Sequence, residues 1–167
     1  MMKRRSAVTG FPRPEHDHKS CESANLERAR ALFERQGLKL TQLRQRVLAE
    51  IAASHEALGA YEILERLAGK GHRLAPISVY RALDALLATG VIHRLESRNA
   101  FFACHVQHSA DPARNKLFLV CESCGRVAEV GSEGLFGEIS SAVESASFLP
   151  RRTVAEVSGL CTHCRTP

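Results

Sequence analysis

Two C-x-x-C pairs carry the strongest chemical signal in this sequence. "CESCG" supplies Cys121 and Cys124, and "GLCTHC" supplies Cys161 and Cys164 after 36 intervening residues. Each pair can present two sulfurs at one corner of a turn, and the distant pair closes a tetrahedral shell of four thiolates, a donor set suited to Zn²⁺. With all four positions filled by protein, none is left for water or substrate, so this zinc is expected to be structural. A thioredoxin-type dithiol would need one pair in a βαβ context. A zinc hydrolase or deaminase would need an open position, and the deaminase signature also needs H-x-E with P-C-x-x-C. "SHEA" offers His55 followed directly by Glu56, and neither C-x-x-C follows a proline. The chain is therefore read as no enzyme, with no small-molecule substrate.

A second group of candidate ligands gathers in the middle of the chain: His93, Cys104, His105, His108 and Glu129. One thiolate, one or two imidazoles and one carboxylate make a candidate second zinc site, and its sulfur favours Zn²⁺ over iron or manganese. The competing reading is that each is a satisfied core residue. His16, His18 and Cys21 in "HDHKSC" also have ligand chemistry, but on an unstructured tail they would have to be ordered at an entropic cost.

Length and composition bound what these ligands can serve. At 167 residues the chain holds one ordinary domain or two small ones. No apolar run approaches the roughly 20 residues of a membrane span, and the first residues lack the apolar stretch of about 7 to 15 that a secretory signal requires. A cytoplasmic protein with no membrane partner is expected, where thiols stay reduced and cysteines serve metal better than disulfides. Residues 1–100 hold 17 Lys or Arg against 11 Asp or Glu, while residues 101–167 hold 6 against 7. The front half is the part suited to meet a polyanion.

The elements that must position these groups follow from periodicity. Residues 1–22 show none and read as a flexible tail. Leu26, Ala29, Leu32 and Phe33 recur at helical spacing until Gly37. Thr41 is a candidate N-cap for a second stripe of Leu43, Val47, Leu48 and Ile51. A third helix, from about Ala60 to Ala68, points Ile63, Leu64 and Leu67 inward. After Pro76, "ISVYRALDALLATG" places Val79, Leu83, Leu86 and Leu87 on one face until Gly90. "VIHRLES" and "NAFFAC" then read as a hairpin turning at Arg98 and Asn99. Helices followed by such a hairpin suggest a winged helix-turn-helix, whose last helix enters the DNA major groove. Beyond Cys104 the pattern changes to strands "KLFLVC" and "RVAEV", a helix "EGLFGEISSAVESA", and a strand "RTVAEVSGLC". The expected architecture is α+β: a tail at 1–22, a winged-helix DNA-binding domain at 23–103, and a small α/β metal-binding domain with a zinc-ribbon-like four-cysteine site at 104–167.

From about Leu26 to Cys164 the chain resembles the ferric-uptake-regulator family, and more closely its zinc-uptake branch. The resemblance runs through "LTQLRQRVL", "AYEIL", "ISVYRALDALLATGVIHRLES", "CESCG" and "GLCTHC". It implies a homodimeric repressor that binds palindromic double-stranded operator DNA and controls zinc homeostasis genes. It also implies a C-terminal dimerisation domain and two Zn²⁺ per monomer: structural zinc on Cys121, Cys124, Cys161 and Cys164, and regulatory zinc at the hinge between domains on His93, Cys104, Glu129 and one loop histidine. The zinc branch usually carries that histidine about seven residues before its first structural cysteine, where this chain has Arg114, so His108 or His105 must supply it. His108 is preferred, because adjacent strand residues face opposite ways and a strand continuing through Cys104 turns His105 aside. The iron branch carries an H-H-D-H cluster where this chain has "ARNKLFLVC"; the same fold sensing iron, manganese or peroxide is the alternative. For DNA, the resemblance maps Tyr80 and Arg81 onto the recognition helix and Tyr61 onto the helix before it. Arg81 suits guanine O6 and N7, and Tyr61 a thymine methyl or a polar edge. Arg44 and Arg46 are candidates for phosphate. The competing role for Tyr80, between Val79 and the Leu83 face, is core packing.

Overall fold

The computed structural model describes residue 11 and residues 18–53, 55–103 and 116–165. These divide into two compact units, one holding residues 18–53, 55–103 and the turn 124–126, the other residues 116–123 and 127–165.

The N-terminal unit opens with α1 (His18–Arg35), α2 (Gln42–Ala52), β1 (Leu58–Gly59), α3 (Ala60–Gly69) and α4 (Pro76–Ala88), and closes with the wing strands β2 (Ile92–Leu95) and β3 (Ala100–Ala103). Each helix buries the stripe its periodicity marks. Ala29 and Phe33 of α1, Val47, Leu48 and Ile51 of α2, Ile63 and Leu67 of α3, and Val79, Leu83 and Leu86 of α4 form one core with Ile92 and Phe101 of the wing. Burial of side chains this size stabilises by about 1.5–3 kcal/mol each. Thr41 caps α2, its Oγ1 accepting the Arg44 N–H at 3.4 Å. At α3, Glu62 Oε2 accepts the Gly59 N–H at 2.7 Å. Pro76 opens α4 at a position whose N–H the helix does not need. Gly90, at φ 74°, ends it: Val91 N donates to Leu86 O at 3.1 Å and Gly90 N to Leu87 O at 3.0 Å. This left-handed turn lets the wing begin two residues later. The Arg28 guanidinium donates to Val91 O at 3.0 Å and to Asn25 Oδ1 at 3.1 Å, tying α1 to the junction of α4 and the wing.

Two expectations need correction. The tail expected through residue 22 ends sooner, because α1 already includes residues 18–22. Those residues bring no apolar stripe, so periodicity could not reveal a helix that propagates backward from Asn25. The wing sheet has three strands in the order β1-β3-β2, not two, since Leu58 and Gly59 pair antiparallel with Phe101 and Ala100. Two residues are too short to carry an alternation signal. The wing turn holds Asn99 at φ 47°, a conformation asparagine tolerates.

In the C-terminal unit β4 (Lys116–Cys121) and β5 (Val127–Gly131) form an antiparallel pair, α5 (Glu133–Ser145) crosses over, and β6 (Ala155–Gly159) returns parallel to β4 before the short α6 (Thr162–Arg165). The sheet order is β5-β4-β6, so β6 is an edge. Its core is small: Phe118, Val120, Val127, Ala128 and Phe136 are buried, while Leu149 is 87% exposed and Phe148, Val157 and Leu160 more than half exposed. Helix α5 ends through the same pair of bonds as α4, but with Ser147 at φ 52° in the place glycine usually takes. The domain boundary expected at Cys104 falls among residues 104–115, outside the described residues.

Lys70 Nζ lies 2.6 Å from Oε1 of the buried Glu50, joining the end of α3 to α2. Lys70→Ala leaves that carboxylate without its ammonium partner and should lower stability by about 1–3 kcal/mol in urea denaturation of the full chain. Adding Glu50→Leu should recover most of the loss, since an apolar replacement removes the uncompensated charge. A double variant as unstable as the single would show that the ion pair is not the cause.

Candidate metal centre and nucleic-acid interface

Strand pairing delivers the four cysteines to one place. In the parallel ladder of β4 and β6, Cys121 lies opposite Gly159, and Glu122 N donates to Gly159 O at 2.8 Å just beyond. Cys121 therefore ends one strand beside the residues that lead into Cys161. Each strand then turns sharply. Residues 122–124 make one turn, followed by Gly125 at φ 70°. The other is the turn of α6, in which Cys164 N donates to Cys161 O at 3.1 Å. Two parallel strands with a turn on each thus aim four sulfurs at one point.

The four Sγ atoms lie within 4.8 Å of one another. A tetrahedron with Zn–S bonds of about 2.3 Å has sulfurs about 3.8 Å apart, so only a small contraction is needed. None of the four is in a disulfide; Cys121 and Cys161 are buried and Cys124 and Cys164 partly so. The Cys161 N–H donates to Cys121 Sγ at 3.4 Å, an outer contact of the kind that orients a ligand sulfur. That amide was beyond the reach of side-chain patterns. Soft donors, the right number and near-tetrahedral spacing fit Zn²⁺. This is the cluster of ligating side chains found among the described residues.

The second set of ligands is not assembled by the described residues. His93 sits on β2, half-buried, its ring tilted against its cross-strand partner Phe102 with centroids 5.6 Å apart. Glu129 is buried on β5 of the other unit, opposite Phe118. Cys104, His105, His108 and Arg114 lie outside the described residues, as does His16; His18 and Cys21 are on α1, their side chains undescribed.

The DNA candidates divide into two kinds. Arg81 and Tyr80 are exposed on α4, Tyr80 to 38%, so the core does not absorb the tyrosine. Tyr61, at the start of α3, is 65% exposed. Arg44 is engaged within the fold: its guanidinium donates to Lys39 O and lies 5.5 Å from the centroid of the Phe33 ring. Arg46 is half-buried. Sequence reasoning passed over Ile77, a side chain of core type that is exposed; the available signal was that it falls off the Val79–Leu83–Leu86 stripe.

The sequence profile of the ferric uptake regulator family matches residues 35–151. The chain belongs to the ferric uptake regulator family. Within it, the zinc uptake regulation protein of Escherichia coli (strain K12) is 32% identical over 139 residues, covering 83% of this chain and 80% of that protein. A solved zinc uptake regulator complexed with zinc and DNA is similar at TM-score 0.79 and 30% identity, over 86% of this chain and 94% of that one. The crystal structure of holo XcZur gives TM-score 0.76 and 37% identity, over 87% of this chain and 99% of that one. The chain groups with the zinc-uptake branch, and its family is one of regulators, not enzymes. No helix among its described residues is long and apolar enough to cross a membrane.

Replacing one sulfur removes a ligand from a unit with a small core. Cys121→Ser or Cys164→Ser should release zinc and unfold residues 116–165, because structural zinc contributes folding free energy on the order of 10 kcal/mol in small sites. Zinc assay with circular dichroism decides it: a folded Cys164→Ser protein with undiminished zinc would refute the structural assignment.

Proposed function

We propose that this chain is a zinc-responsive transcriptional repressor that binds operator DNA as a zinc-loaded homodimer in the cytoplasm and controls zinc uptake genes. Residues 18–103, from the start of α1, form its DNA-binding domain and residues 104–167 its metal-binding dimerisation domain. One observation carries the reading: on a winged helix like that of a DNA-bound zinc regulator, Tyr80 and Arg81 stand exposed on the face of α4 opposite its buried stripe.

Arg81 donates to guanine O6 and N7, and Tyr80 and Tyr61 add contacts to base edges, while Arg46 and the outward edge of Arg44 meet phosphates. The homodimer draws support from the apolar residues left exposed on the C-terminal unit, Val157 on the edge strand β6, Leu160 just after it, and Phe148 and Leu149 after α5. A sheet edge and an apolar patch of this kind call for cover, and a second copy provides it symmetrically. Two zinc sites per chain are proposed. The four cysteines hold the structural ion, and His93, Cys104, Glu129 and His108 hold the regulatory one, with His105 as the alternative to His108. When bound, zinc supplies directional bonds that fix its ligands relative to one another. A chain whose sensing ligands are so fixed spends more of its time in the DNA-competent form, which raises its apparent affinity.

Arg81→Ala should weaken operator binding by about 1–3 kcal/mol, roughly 5- to 150-fold, with zinc content and oligomeric state unchanged. Gel shifts at one salt concentration against operator and random DNA test it. Equal loss on both would make Arg81 a phosphate contact that reads no base.

Sensing and folding should separate in Cys104→Ser, which is expected to lose zinc-dependent DNA binding while keeping one tightly held zinc and the dimer. His108→Ala should reproduce most of that defect and His105→Ala much less. Zinc titration of operator binding for each variant checks the ligand set, and a dominant effect of His105→Ala would exchange the two histidines.

A further inference from the structure

Apart from Pro76 at its first position, the exposed residues of α4 define a narrow face. At 100° per residue, Ile77, Tyr80, Arg81, Asp84 and Ala88 fall within a stripe about 100° wide, and all are exposed. Val79, Ala82, Leu83 and Leu86 occupy the opposite side and are buried. Ile77 stands in the first turn of the helix, three residues before Tyr80 and four before Arg81, and is 58% exposed. Neither helix propensity nor packing calls for it there. A β-branched side chain loses rotamer freedom in a helix, and the core lies on the other side. Along the stripe, chemistry changes with position. The N-terminal half offers an aliphatic group, a phenol and a guanidinium, whereas the C-terminal half carries Asp84, a carboxylate that phosphates repel, and Ala88. Base edges are reached by the N-terminal residues of a recognition helix. There the apolar feature on a base edge is the C5-methyl of thymine.

We propose that Ile77 is a specificity-determining residue, its aliphatic side chain packing on the C5-methyl of one thymine in each operator half-site beside the base read by Arg81. The assignment rests on α4 being the recognition helix of a repressor. It adds an apolar selection at one position to the polar reading by Arg81, and it is separate from any methyl contact made by Tyr61 on α3.

The test uses the full-length, zinc-loaded protein and duplexes selected from a random pool. Each thymine of one half-site is replaced in turn by uracil, which removes only the methyl. One replacement should weaken wild-type binding about fourfold, the factor corresponding to about 0.8 kcal/mol for one buried methyl-sized group. Ile77→Ala, a change to a better helix former at an exposed site, should bind the thymine and uracil versions of that position equally. It should keep its zinc, its dimer and its sensitivity at every other position. Tyr61→Ala should retain the uracil effect at the Ile77 position. Full methyl sensitivity in Ile77→Ala at every thymine, or no sensitive thymine in the wild type, overturns the assignment while leaving the repressor reading intact. A pool from which the zinc-loaded protein enriches no sequence overturns both.

Discussion

Convergence of four sulfurs on the parallel pair β4–β6 is the constraint on which the C-terminal unit depends. Among the described residues four buried apolar side chains on the strands and one on the crossover helix make a thin core for a three-stranded sheet, and small folds of this kind need a covalent or metal clasp. The ladder places Cys121 beside the exit of β6, two turns bring Cys124 and Cys164 back, and the Cys161 amide braces the Cys121 sulfur. Metal, register and turn geometry are thus one feature. A slip of β6 by one residue would turn its side chains to the other face and carry Cys161 away from Cys121. With the clasp in place, the edge strand can keep Val157 exposed without collapsing onto a larger core of its own.

The N-terminal unit needs no such clasp because its helices are one-sided. Helix α4 illustrates the division of labour, with Val79, Leu83 and Leu86 anchoring it to α2 and α3 while Tyr80 and Arg81 face away. Its two ends are also fixed, by Pro76 at the start and by the left-handed Gly90 at the finish, and Arg28 of α1 holds the junction that follows. A helix held at both ends and along one face presents its outer side chains with little freedom left to lose on binding.

Much of this was legible in the sequence because it rests on local rules. Periodic apolar residues marked α2, α3 and α4, glycine stops marked the ends of α1, α3 and α4, and the paired C-x-x-C spacing marked the four-cysteine cluster. What escaped has a common physical origin in non-local or backbone-level effects. Strand β1 exists only because β3 offers it an edge, and no two-residue signal could announce it. The first turns of α1 extend from a helix already nucleated, with no stripe of their own. Arg44 has the chemistry of a phosphate ligand, and only the fold shows its guanidinium over Phe33 and on Lys39 O. Ile77 has the chemistry of a core residue, and only its angular position reveals an outward one.

The parallel pairing of β4 with β6 also sets a timescale. Leu117 meets Ala155 across 38 residues of chain, whereas β2 and β3 are joined by a four-residue turn. Ordered loop closure of that length precedes any reward from the contact, so parallel pairing forms late compared with local helices and hairpins. The winged helix can therefore assemble while β4 still presents an unpaired edge. In that interval the edge and the C-x-x-C after it are open to other chains and to oxidants. Closing the clasp ends that exposure, so the time for which the edge stays open is set by how quickly the four sulfurs are brought together on their metal.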